Sequence, residues 1–218
     1  MGLRLTDNVF LRDHHHRSKE WTCKNFIAVL EHPKDLRNVV AFVRNALALG
    51  VEKIFIITSH PDTPALLEDM RSRHVWVPPS LSALRWSFLR VFPTTEDCIQ
   101  LLRSSRYTSV AFSPKSHGKD SHYLDNADFT TFKKLAIWFG NESSGLSFLA
   151  LSESRFCVQL PLAGLIEDMS LGVCSGVVLY EAARQRREYV NALAEKRQWK
   201  KWISQMQSEI THSSLHNS

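Results

Sequence analysis

The run FIAVLEHPKDLRNVVAFVRNALALGVEKIFIIT, Phe26 to Thr58, holds two apolar strands around one amphipathic helix. Phe26 to Leu30 is continuously apolar, as a strand buried on both faces must be. After Pro33, apolar residues recur at Leu36, Val39, Val40, Val43, Ala46 and Leu47. Spacings of three and four put them on one helical face. Asp35 can cap the start of this helix, and Gly50 can take the left-handed conformation that ends it. Lys53 to Thr58 then returns to a buried-strand pattern. A strand, a helix and a second strand in this order form a parallel crossover, so the fold class is α/β with a mostly parallel sheet.

The alternation continues outward. The pattern predicts a helix from Thr63 to about Arg73 and a weak strand, VWVP, ending at Pro78-Pro79. Thr94-Thr95-Glu96-Asp97 opens a further helix through Leu102 with the character of a capping box. Strands follow at Thr108 to Ser113 and Lys134 to Phe139, then a short helix in Gly145 to Ser152. Arg155 to Leu162 reads as a strand stopped by Pro161. A final helix runs from Ser170 to about Ile210, with Trp199, Trp202, Ile203, Met206 and Ile210 on one face of its last part. Residues 114–130 are polar and predict an exposed loop. No internal repeat or low-complexity block occurs. The expected organisation is one domain over 26–187, an N-terminal extension over 1–25, and a C-terminal helix and tail over 188–218.

With 218 residues, the chain has enough material for one well-buried core. Apolar residues make up 44% and charged residues 22%, an ordinary soluble composition. The net charge of +5 and pI near 9.1 tilt towards an acidic partner such as nucleic acid. The four cysteines lie far apart without a C-x-x-C pair, which argues for reduced thiols in a cytoplasmic protein and against a zinc site. No hydrophobic signal region opens the chain, and no apolar run reaches membrane-spanning length. Met1-Gly2 with Thr6 fits a short acylation pattern that chance explains better. His14-His15-His16 lacks spaced partners, so no metal is expected.

Standard nucleotide loops are excluded. Among eight glycines no two are separated by one residue, so no G-x-G fingerprint exists. Gly140 and Gly145 have P-loop spacing, but Leu146-Ser147 stands where Lys-Ser/Thr is required. Polar residues instead collect in three unexpected places. Asn38 and Arg44 share the first helix, about 120° apart on its surface. In AIWFGNESSGLS, Ala136 to Ser147, a strand turns into a loop that holds Glu142 between two glycines. In QLPLAGLIEDMSLGVCSGVVLYEAARQR, Gln159 to Arg187, an excursion at Pro161 and Gly164 leads into a helix rich in small residues, which permit close packing.

These three segments, in this order, resemble the three motifs of the SpoU/TrmH branch of the SPOUT RNA ribose methyltransferases. DLRNVVAFVRNALALGV resembles D-P-H-N-V-x-A-V-x-R-x-x-D-A-x-G and carries Asn38, Arg44 and Gly50. LAIWFGNESSGLS resembles an apolar strand followed by G-N-E-x-x-G-L. The third resembles I-P-M-x-G-x-x-x-S-L-N-V-S-V-A, continuing to L-Y-E-A-x-R-Q-R. The resemblance spans about residues 26 to 187. It implies a C-terminal deep trefoil knot, S-adenosylmethionine held by knot loops, and a homodimer that binds RNA across its interface.

It also implies site residues. Arg44 would meet the ribose 2′-hydroxyl that attacks the methyl group. A guanidinium stays protonated, so positioning of hydroxyl and phosphate suits it better than literal base catalysis. Asn38 would orient Arg44, and Glu142 would anchor the loop or Asn38. Backbone groups at Gly140, Leu160, Leu162 and Met169, with Ser113, would hold the cofactor. Aligned without a gap, the family's S-L-N falls on Asp168-Met169-Ser170, so its asparagine is lost and Ser170 takes that place. The short N-terminal extension and LYEAARQR point to the tRNA branch, with a D-loop guanosine as target. An rRNA substrate and a non-catalytic RNA-binding relative are the alternatives. Arg184, Arg186, Arg187, Lys196, Arg197, Lys200 and Lys201 would make the last helix an RNA-facing surface, with Tyr189, Trp199 and Trp202 either stacking bases or docking on protein.

Overall fold

The computed structural model describes residues 22–65, 67, 89–115, 118–165 and 169–215, with side chains described through 205. The predicted helix after Thr63 lies mostly outside these residues; VWVP, the histidine triplet, the acylation pattern and Asp168 lie wholly outside.

Seven strands form one sheet in the order β3-β2-β1-β6-β4-β7-β5. They are β1 (Cys23–Glu31), β2 (Val51–Ile57), β3 (Leu89–Phe92), β4 (Thr108–Phe112), β5 (Ser121–Tyr123), β6 (Leu135–Phe139) and β7 (Cys157–Gln159). Every neighbouring pair is parallel. All strands therefore deliver their carboxyl ends to one edge, the usual location of sites in open α/β sheets.

Helices cover both faces. On one lie α1 (Leu36–Ala48) and the first part of α4 (Leu171–Leu215); on the other lie α2 (Thr95–Ser104) and α3 (Phe148–Glu153). The central strands divide between the two by simple alternation. Phe26, Ala28 and Leu30 pack towards α1 and α4, while Ile27 and Val29 pack towards α2 and α3. Leu135, Ile137 and Phe139 repeat the first direction, Ala136 and Trp138 the second. This two-sided burial explains the unbroken apolar strands.

Local chemistry fixes the helix ends as the sequence indicates. The Asp35 carboxylate accepts from the Arg37 amide at 2.8 Å to cap α1, and Gly50 ends it at φ +76°. Thr94 caps α2, accepting from the Asp97 amide while its hydroxyl donates to the Asp97 carboxylate. Close contact between α1 and α4 needs the small residues of the third motif. A Cβ on Gly172 would lie 3.1 Å from Ala41 Cβ, and one on Gly176 3.3 Å from Asn45 Nδ2. Asn45 also donates to the Gly172 carbonyl at 2.6 Å, bonding the two helices across this seam.

Two sequence expectations need correction. Residues 114–130 are not simply an exposed loop. They contain β5 and a 3-10 turn at Leu124–Asn126, with Leu124, Ala127 and Phe129 buried in the core. Three polar residues, Ser121 to Tyr123, form a strand because β7 offers them a free edge, not because of any periodic pattern. The second correction concerns Arg186, assigned above to an RNA-facing surface. It is 8% exposed, and its guanidinium donates to the carbonyls of Phe129, Phe132, Lys133, Lys24 and Asn25. Five carbonyl oxygens at the start of β1 and before β6 thus converge on one side chain.

Candidate functional site

At the carboxyl edge, β1 and β6 lie side by side, and the segments that leave them meet. Phe139, the last residue of β6, pairs with Leu30 of β1. The chain then turns through Gly140 to Ser147 before α3. Asn141 and Gly145 close this loop by exchanging backbone hydrogen bonds of 3.2 and 3.1 Å, with Gly145 at φ +69°. Inside it, Asn141 Oδ1 accepts from the amides of Ser143 and Ser144. Gly140 is compelled by space: a Cβ there would lie 2.0 Å from Gly145 C and 2.3 Å from Leu146 N. Its missing side chain is thus explained by loop closure, before any cofactor is considered.

The closed loop presents Glu142 to the β1–α1 connection. Glu142 Oε1 accepts from Asn38 Nδ2 at 2.6 Å, and Oε2 accepts from the Lys34 amide at 3.2 Å. Burial alone would push the Glu142 carboxyl up. The Asn38 amide, with the backbone amides of Glu142, Lys34 and Asp35, outweighs it and holds the group below its usual value. Glu142 is therefore an ionised acceptor at neutral pH and clamps the start of α1 to the loop.

Arg44 lies exposed farther along α1. Asn38 gives its amide to Glu142, which joins the start of α1 to the loop. Ser113, after β4, is buried; its amide donates to the Val158 carbonyl at 3.1 Å and its hydroxyl accepts from the Lys115 amide at 3.3 Å. Ser170 precedes α4, where its hydroxyl accepts from the Val173 amide at 3.4 Å and its carbonyl from Cys174. Leu160 is half-buried after β7, and Leu162 and Met169 are exposed.

Exposed apolar side chains gather in the segments at this edge and along the adjoining part of α4. Phe148 is 86% exposed at the start of α3; Leu162, Leu165 and Met169 follow β7, and Val173, Val177 and Tyr180 run along α4. Apolar groups in such number on a soluble surface indicate a ligand or protein contact. Among the described residues no cluster could hold a metal ion, and no helix is long and apolar enough to cross a membrane. The four cysteines are buried and form no disulfide; burial pushes the Cys98 thiol up to about 12, which leaves it unreactive.

Sequence reasoning passed over Glu31. It ends β1, is 1% exposed, and accepts hydrogen bonds from Thr95 and Ser147. A lone acid after an apolar run ordinarily marks a strand emerging into solvent, so only the fold shows it buried. The cations of α4 also separate into two groups. Arg184 pairs with Glu181 and Glu188, Arg186 is buried, and Arg187 donates to the Leu49 carbonyl. Lys196, Arg197, Lys200 and Lys201 are exposed, beside Trp199 and Trp202, whose rings stack at 5.0 Å.

Residues 25–180 match the SpoU rRNA Methylase family model. The tRNA (guanosine(18)-2'-O)-methyltransferase of Thermus thermophilus is 27% identical over 158 residues, covering 72% of this chain and 74% of that protein. The A. aeolicus TrmH/SpoU tRNA modifying enzyme superposes with a TM-score of 0.61 at 21% identity, covering 82% and 85% of the two chains. AviRb of Streptomyces viridochromogenes, a SpoU methyltransferase crystallised with AdoMet, gives 0.57 at 21% identity over 73% of this chain and 57% of its own. At these identities the structural likenesses establish the fold.

Proposed function

Because the chain belongs to the SpoU rRNA Methylase family, we propose that it transfers a methyl group from S-adenosylmethionine to a ribose 2′-hydroxyl of RNA, with a guanosine of the tRNA D-loop as its target. The observation that carries the reading is the 2.6 Å bond from Asn38 to Glu142, which joins two motif segments 104 residues apart. S-adenosylmethionine supplies the electrophilic methyl group. The protein's part is to hold donor and hydroxyl in line and to polarise the hydroxyl.

In this reading the peptide groups at Gly140, Leu160, Leu162 and Met169 would hold the cofactor. Ser113 acts indirectly, by tying β4 to β7 beneath them. Glu142 and Asn38 fix the start of α1, and Arg44 on that helix meets the 2′-hydroxyl and the adjoining phosphate as a fixed cation. Ser170 sets the start of α4 beside the cofactor segment. The domain would be residues 26–187, threaded as a deep trefoil knot in its C-terminal half. The apolar stripe of Val173, Val177 and Tyr180 supports a homodimer, with the exposed cations of α4 reaching RNA. A cytoplasmic location suits the substrate and the absence of a disulfide among the four cysteines.

Incubation with labelled methyl donor and total RNA, followed by mapping of the modified nucleotide, tests the reading. Incorporation at a ribose 2′-oxygen of tRNA is expected. Incorporation into rRNA would shift the substrate, and RNA binding without incorporation would refute the enzyme. Arg44→Ala should abolish transfer and leave cofactor affinity within about twofold; retained transfer would remove Arg44 from the reaction.

A further inference from the structure

Glu31 places a carboxylate in the interior at the end of β1, where it would be costly unless its oxygens are used. Both are used. Oε1 accepts from the hydroxyls of Thr95 at 2.6 Å and Ser147 at 2.7 Å, and Oε2 accepts from the Ser147 amide at 2.7 Å. Thr95 is the first residue of α2, and Ser147 caps α3, its hydroxyl accepting in turn from the Ala150 amide at 3.1 Å. The carboxylate therefore grips the far end of the loop that begins at Gly140.

Glu142 grips in the opposite sense. It sits on that loop and reaches back to Lys34 and Asn38, just beyond Glu31 in the chain. Two acids are thus exchanged between the same two segments, one donated by each. A loop held at one point can pivot; held near both ends it keeps one position and one orientation.

We propose that Glu31 is a positioning residue for methyl transfer: through Ser147 it fixes the loop that carries Gly140 and Glu142. The inference rests on the methyltransferase reading above. Glu31 touches neither substrate nor cofactor and acts through the geometry of that loop. Thr95 joins α2 to the same carboxylate, so the loop, α2 and β1 move as one body.

Glu31→Gln tests this in the full-length chain, since it keeps the shape and removes one acceptor. Loss of one charge-assisted bond should speed amide exchange in residues 141–147 about tenfold and weaken S-adenosylmethionine binding about tenfold. Exchange in β1 and β6 should stay unchanged. Thr95→Ser should behave as the parent protein, because it keeps the hydroxyl, and Thr95→Val should not. Adding Ser147→Ala to Glu31→Gln should cost less than the sum of the two single changes, because they share a tether, and more than Glu31→Gln alone, because the α3 cap is also lost. Unchanged loop exchange, fully additive losses, or a uniform rise across the sheet would each overturn the proposal. If the parent chain itself binds no S-adenosylmethionine, the methyltransferase reading falls, and loop exchange still decides the tether.

Discussion

Gly140→Ala places one methyl group where the structure leaves no room. The new carbon would sit 2.0 Å from Gly145 C, 2.3 Å from Leu146 N and 2.4 Å from Gly145 O. All three are backbone atoms, so no rotamer can relieve the overlap. The loop must open, and opening it breaks the two hydrogen bonds that Asn141 and Gly145 exchange. Each lost bond costs roughly 0.5–1.5 kcal/mol. Forced repacking adds about 1–3 kcal/mol. The total is about 2–6 kcal/mol, against a typical stability of roughly 5–15 kcal/mol. For a domain of this size, that lowers Tm by roughly 4–24 °C. Gly145→Asn is the control, because Gly145 has open space and its φ of +69° is one that asparagine tolerates. Thermal unfolding followed by circular dichroism measures both variants, and calorimetric titration with S-adenosylmethionine reads the loop directly. A Gly140→Ala protein melting within about 2 °C of its parent, below even the low end of that range, would refute the packing argument.

Three other outcomes follow from the described contacts. The folded state holds the Glu142 carboxyl below its usual value, so its contribution is full above the unfolded carboxylate's pKa and is lost as pH falls through the folded one. The Tm gap between the parent and Glu142→Gln should therefore be widest near neutrality and close as pH falls below about 4; a constant gap in a pH series of melts would contradict the clamp. Arg186→Ala strands five carbonyls around an empty guanidinium site and should cost at least about 3 kcal/mol in urea unfolding. Truncation after Tyr189 should leave Tm within about 2 °C, because residues 190–205 are largely exposed, and should flatten the salt dependence of RNA binding by up to about 3 in log-log slope through loss of four cations.

The central fold could be read in the sequence because its signals are local. Phe26 to Thr58 declares a strand, a capped helix and a strand, and each forms where its pattern places it. Close packing at the start of α4 was also legible in Gly172, Ser175 and Gly176, but not that α1 would be the partner. Long-range effects were hidden. Ser121 to Tyr123 carries no strand pattern and pairs only because β7 is there. Arg186 looks like its basic neighbours until five carbonyls from distant parts of the chain surround it. Gly140 must be a glycine for loop closure whatever it does for a ligand, and only the distance to Gly145 reveals that. Glu31 ends an apolar strand as any solvent-facing acid would, and its burial depends on Thr95 and Ser147 arriving from far along the chain. The motif resemblance supplied Glu142 and Asn38, which periodicity could not have joined.

The parallel pairing of β1 with β6 also governs how the chain is made. Phe26 meets Leu135, so β1 waits for more than a hundred residues of translation before its second neighbour exists. At roughly 5–20 residues per second, that interval is on the order of 5–20 s. Throughout it, an apolar strand complete on one side keeps a row of unpaired peptide groups on the other, which invites association with other nascent chains. Chaperone capture should therefore peak on ribosome-bound chains that end before Leu135 and fall once β6 has emerged; capture independent of length would show that β1 is protected by other means.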